Sequence, residues 1–131
     1  MTARSSKNLV LIVGRELGSL LATPFFLVDA AGNLVFYNES AEQVLGLRFS
    51  EAGELSIDQW GRMWSPEDVD GTPLEADGLP LVQALTDRKP AHRPIVITGA
   101  DGRKNTIEIT AVPLFASPEE LVGAAAIFWI G

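Results

Sequence analysis

No cysteine occurs among the 131 residues. Disulfides, thiolate nucleophiles and cysteine-ligated metals are therefore excluded, and a reducing compartment suits the chain. Histidine is almost as scarce, with His92 alone. A zinc site has too few nitrogen and sulfur ligands to draw on. A Ser-His-acid triad would have to pass through this one residue, and no nucleophile-elbow motif accompanies it. Long hydrophobic runs are missing too. The longest early one, Leu9 to Val13, falls far short of the ~20 residues of a membrane span. Gly14, Arg15 and Glu16 end it too soon for a signal peptide. Basic charge is in short supply, with ten Lys and Arg against seventeen Asp and Glu, a net of −7. The imbalance is local: from Glu51 to Asp87 nine acids meet only Arg62, and the remainder is close to neutral. An acidic surface repels phosphate backbones. The expectation is a soluble cytoplasmic protein with neither a nucleic acid nor a membrane as partner.

What is present suffices for one domain. A chain of this length buries roughly two-thirds of its unfolded surface without staples, and 47% hydrophobic residues are ordinary for a globular fold. The first six residues read as a loose arm. From Asn8 to Ala22 a helix is expected, with Leu9, Val10, Val13, Leu17, Leu20 and Leu21 on one stripe of 3.6 periodicity. That stripe is expected to cover a sheet, leaving Leu11 and Ile12 to point away. Pro24 ends the helix. Phe25 to Asp29 and Leu34 to Asn38 read as strands joined by a turn in which Gly32 and Asn33 supply positive φ. Asn38 then caps a helix from Glu39 to Leu45, with Ser40 and Gln43 as an alternative capping box and Gly46 at its C-terminal end. A short helix follows from Ser56 to Met63, and a Pro- and Gly-rich stretch from Ser65 to Pro80 must be mostly loop. A further helix from Leu79 to Arg88 is expected to be capped by Asp77, with Pro80 in its first turn. Strands from Arg93 to Thr98, Lys104 to Leu114 and Leu121 to Ile130 complete the chain. The last is apolar on both faces, the mark of a strand central in its sheet.

This order, together with particular residues, resembles the PAS family. The segment from Phe25 to Asn38 resembles the family's opening hairpin: one strand ends in Asp29, a turn contains Gly32, and a second strand closes on Asn38. Asn38 with Ala41 matches the Asn-x-x-Ala start of the first core helix. Asp101-Gly102 matches a turn between the later strands, and the final strand through Ala126 to Ile130 looks like the central one. The resemblance runs from about Leu17 to Ile130. It implies an α+β fold with a five-stranded antiparallel sheet, short helices enclosing a small pocket on one face and the N-terminal helix on the other. It also implies a sensory or signalling domain and not an enzyme. The chain divides accordingly into an arm and dimerisation helix, residues 1–22, and a core domain, residues 23–131.

The residues narrow the ligand. Photoactive flavin and covalent chromophore types need a cysteine. Haem is not expected, because His92 lies beyond Pro90, where the preceding helix has stopped. Non-covalent flavin is neither supported nor forbidden. Asp68, Asp70, Gly71 and Asp77 imitate part of a calcium loop, but Pro66 stands where the first ligand would be, so no metal is expected. Gly14 to Gly18 lacks the lysine and the preceding strand of a phosphate loop. Phe26, Phe36, Trp60, Trp64 and Phe128 are the aromatic candidates for a pocket lining, or else simple core. Ala124 and Ala126, in a strand of small residues, either leave room for a ligand or allow close helix packing. Arg93 is a candidate anchor for a carboxylate. The reading is a homodimer paired through Leu11 and Ile12 that senses a small, largely apolar molecule and signals through another protein, the chain otherwise being a piece of a longer one. A ligand-free interaction domain is the alternative, and a small α+β enzyme acting on an apolar substrate a remote one.

Overall fold

The computed structural model of the protein describes the backbone of residues 3–131 and the side chains of residues 9–131. Five strands, β1 (Phe25–Asp29), β2 (Leu34–Tyr37), β3 (Ala91–Thr98), β4 (Lys104–Ser117) and β5 (Glu120–Ile130), form one antiparallel sheet in the order β2-β1-β5-β4-β3. Among the described residues five α-helices accompany them: α1 (Ala3–Leu20), α2 (Glu39–Leu45), α3 (Phe49–Ala52), α4 (Ile57–Met63) and α5 (Pro80–Asp87). The expected α+β architecture is observed, with β5 central between β1 and β4. Among the described residues no helix is long and apolar enough to cross a membrane.

The β1–β2 turn forms where the sequence places it. Of the two residues expected at positive φ only Gly32 is, at 88°. Asn33 is not, and is held instead by the Asp29 carboxylate, which accepts the amide hydrogens of Ala31 and Asn33 at 3.0 and 2.9 Å. Alternation along each strand then separates the two faces. Phe26 and Val28, Ile95 and Ile97, Ile107 and Ile109, and Ala124, Ala126 and Phe128 face one side, where α2, α4 and α5 cover them with Ala41, Leu45, Trp60, Leu81 and Ala84. Phe25 and Leu27 face the other side and meet α1.

Three local expectations need correction. Ala3 to Ser6 are helical, not a loose arm, and residues 1 and 2 lie outside the described residues. Asp77 belongs to a turn of 3-10 helix and does not cap α5, whose N-cap is Leu79. β3 begins at Ala91, so His92 belongs to the sheet.

The largest correction concerns α1. Leu11, Gly14, Arg15 and Gly18, themselves spaced i, i+3, i+4, i+7, make the inward face. Gly14 lies over the Leu27 side chain, Gly18 lies against the Phe25 ring, and a Leu11 methyl approaches Gly123. The Arg15 guanidinium sits 4.9 Å from the centre of the Phe36 ring, a cation–π contact. The stripe expected to face the sheet is turned outward: Leu9, Val13, Leu17, Leu20 and Leu21 are exposed, together with Ile12. Two glycines let the helix backbone approach the sheet more closely than leucines would permit. The outer face of β5 is likewise not fully covered, since Ile127 and Trp129 are 39% and 41% exposed.

Close approach recurs at Gly123, opposite Asp29 in the β1–β5 pairing. A methyl group there would meet the Val28 carbonyl oxygen and come within 3.2 Å of the Asp29 Cα, both backbone atoms that cannot rotate away. Gly123→Ala is expected to destabilise the fold by about 1–3 kcal/mol, the usual cost of overpacking. Urea denaturation measures it, and an unchanged midpoint would contradict the register.

Candidate functional site

The chain between α4 and α5 is a strap drawn across the free edge of β3. Pro66 cannot continue α4 as an interior helix residue, and the segment instead pairs with the sheet. Glu67 and Val96 exchange two backbone hydrogen bonds of 2.8 Å. Arg93 donates to Gly78 O at 3.1 Å and to Asp68 Oδ2 at 2.9 Å. Lys104 pairs with Glu67 at 3.2 Å. The acids of the strap are thus partly engaged in holding it down. Asp70 accepts the Thr72 amide hydrogen at 2.9 Å, which holds its carboxyl below the usual range. Among the described residues no three His, Asp or Glu side chains converge as metal ligands.

Beneath the strap lies a cavity of about 70 Å³. Its walls are Phe26 from β1, Leu45 from α2, Trp60 and Trp64 from α4 and its end, and Pro66 from the strap. Leu79, Pro80 and Leu81 at the start of α5, Ile95 and Ile97 from β3, Ile107 and Ile109 from β4, and Phe128 from β5 close it. Every one of these side chains is apolar apart from two indole nitrogens, and both of those are satisfied elsewhere. Trp60 donates to Gly32 O at 2.7 Å and Trp64 to Leu45 O at 3.0 Å.

The structure brings together four of the residues singled out from the sequence, Phe26, Trp60, Trp64 and Phe128. The other four stand apart. Phe36 lies on the opposite face beneath Arg15. Arg93 is spent on the strap. Ala124 and Ala126 are fully buried beside Val28 and Phe26 but outside the cavity wall, so their smallness serves close packing. The four isoleucines were missed, although their strict alternation in β3 and β4 marks them as inward-facing. His92 is on the outer face, with Nδ1 2.7 Å from Thr110 Oγ1 and Nε2 3.1 Å from Glu108 Oε2. Of the two residues expected at a dimer contact, Ile12 is exposed, whereas Leu11 packs toward the sheet.

Tyr37 borders the same aromatic cluster, stacked on Phe26 with centroids 5.8 Å apart, and its hydroxyl donates to Leu47 O at 2.8 Å. Burial, with Glu42 and Glu51 adding to it, pushes its phenol up to about 12. Because the folded value lies above the ordinary ~10, this group's contribution is complete below pH 10 and fades as pH rises toward 12. Tyr37→Phe is expected to cost about 0.5–1.5 kcal/mol at neutral pH and to lose less stability between pH 10 and 12 than the parent. Equal alkaline slopes would contradict the assignment.

A sheet in this order, with short helices over an apolar cavity on one face and a helix on the other, matches a known architecture. A family model described as the PAS fold matches residues 20–129. The chain belongs to the PAS family. A PAS domain from Colwellia psychrerythraea is similar over 93% of this chain and 97% of its own, at 19% identity and a TM-score of 0.65. The PAS domain of BvgS from Bordetella pertussis is similar over 92% of this chain and 85% of its own, at 17% identity and a TM-score of 0.62. A LOV domain of the EL346 blue-light activated histidine kinase from Erythrobacter litoralis is similar over 84% of this chain and 96% of its own, at 18% identity and a TM-score of 0.62. At such identities the structural likeness carries the fold alone. No curated protein sequence matches the chain. Membership in the PAS family makes it a sensory or signalling domain.

Proposed function

We propose that this PAS domain works as a non-enzymatic cytoplasmic sensor: it pairs with a second copy, holds a small apolar ligand in the cavity beneath the strap, and passes its signal to a separate signalling protein. The observation that carries the reading is the wholly apolar cavity at the centre of the core. Its walls come from four of the five strands and three helical segments, so a change of occupancy reaches both the sheet and the strap. The presence of histidine kinases among the structural neighbours supports a kinase-type partner for the output.

The residues do not suit haem or flavin. A flavin ring presents several hydrogen-bonding atoms, and no wall residue has a free polar group to meet them. A haem iron needs an axial ligand, and His92 is on the far side of the sheet. The purified protein is therefore expected to be colourless. Native mass spectrometry and an absorption spectrum test the proposal together. A dimer without visible absorbance agrees with it, whereas a monomer, or a Soret or flavin band, overturns it.

One observation favours a second reading. Pockets for drug-sized ligands are ~300–1,000 Å³, well above this cavity, as a ligand-free interaction domain would have it. The choice between the two depends on what the cavity admits.

A further inference from the structure

The cavity selects its occupant by what its walls withhold. Burying an amide or hydroxyl without a partner is unfavourable, and burying a bare charge far more so. Here a polar ligand would find no partner. Both indole N–H groups end on backbone carbonyls, and the Tyr37 hydroxyl ends on Leu47 O. Arg93 is held by Asp68 and Gly78 on the strap, and no cationic side chain is part of the wall. No buried side-chain nitrogen or oxygen among the described residues lacks a hydrogen-bond partner, so no polar group is waiting for a ligand to satisfy it. Size narrows the choice further. An apolar cavity of about 150 Å³ stays dry and accepts benzene or xenon, and this one has about 70 Å³. A water molecule needs two to four polar partners, and the walls offer it none.

We propose that the cavity takes a neutral molecule of only a few heavy atoms that makes no hydrogen bonds, either a dissolved apolar gas or a short hydrocarbon, and rejects carboxylates of the same chain length. This rests on the reading of the cavity as the sensory site and names the class of its ligand.

The chain supplies its own internal control. Of its eight isoleucines, Ile95, Ile97, Ile107 and Ile109 line the cavity, whereas Ile12, Ile57, Ile127 and Ile130 do not. With the δ1 methyl groups labelled with 13C, the intact protein is titrated separately with xenon, propane and propionate. The expected result is a saturable chemical-shift change confined to the four cavity methyls with xenon, propane or both, and no change there with propionate. Xenon alone would identify the gas-sized class, and propane would extend it to hydrocarbons. Ile107→Phe, which fills the space, should abolish the response. If that variant fails to fold, Ile97→Met provides the same test with a smaller intrusion. Cavity methyls that answer to propionate, or to none of the three probes, would overturn the assignment. A heavier ligand carried through purification would then leave the sensory reading standing with a different ligand class. A protein that retains no ligand and answers to no probe would remove both.

Discussion

Asn38→Ala is expected to destabilise the domain by about 3–5 kcal/mol, well beyond the loss of an ordinary helix cap. A cap alone contributes ~0.5–2 kcal/mol, and Asn38 does cap α2, accepting the Ala41 amide hydrogen at 3.0 Å. The same oxygen also accepts the Phe25 amide hydrogen at 3.0 Å. Its amide nitrogen donates to Gly18 O and Thr23 O, each at 2.9 Å, and to Leu21 O at 3.3 Å. One side chain, 2% exposed, thus joins the end of α1, the linker, the start of β1 and the start of α2. Alanine would strand several of these groups away from water, each at ~1–3 kcal/mol. Asn38→Ser should recover only the cap, about 1 kcal/mol, because a hydroxyl reaches Ala41 and not the three carbonyls. Thermal melts measure both variants. An alanine variant that melts with the parent would show the junction to be unimportant.

The role of Asn38 as a cap was legible from the sequence, because Asn before a helical segment has a local cause. Its four other partners were not, since they depend on where the α1 linker passes. The same division runs through the molecule. The Gly32 turn and the Gly46 end of α2 follow from turn chemistry, and the central place of β5 from its being apolar on both faces. The orientation of α1 does not. Its leucine stripe is the stronger periodic signal, yet the glycine face wins because Gly14 and Gly18 let backbone and sheet meet over Leu27 and Phe25. Hydrophobic periodicity tells which residues must be buried, but not whether in this chain or in a partner. The short helix α3 carried no periodic signal, since four residues are too few for one. At the cavity, the large aromatics drew attention by size, and four of the thirteen wall residues proved to be isoleucines placed by strand alternation.

Burial of the α1 stripe gives the other large expected effect. Leu9, Ile12, Val13, Leu17, Leu20 and Leu21 are 44–82% exposed, and on the outer face of the sheet Val112, Ile127 and Trp129 are each about 40% exposed. An exposed apolar helix stripe of this extent marks an interaction site. A second copy is the partner whose surface is complementary by symmetry, since a two-fold axis lays stripe on stripe and counts each contact twice. Burying the remaining exposed area contributes roughly 1 kcal/mol per side chain, so twelve side chains are of the same order as the ~4–15 kcal/mol cost of association. The pair is then close to balance and sensitive to small changes. Ile12→Glu with Leu17→Glu removes four of the twelve, about 4 kcal/mol, or roughly a thousandfold in dissociation constant. Sedimentation should show a wild-type dimer and a monomeric double variant whose melting is otherwise that of a folded domain. Leu11→Glu serves as the contrast. Its side chain points toward Gly123, so a carboxylate there should loosen α1 from its own sheet and lower the melting temperature. A wild-type monomer, or a double variant as dimeric as its parent, would rule out the stripe as the contact between copies.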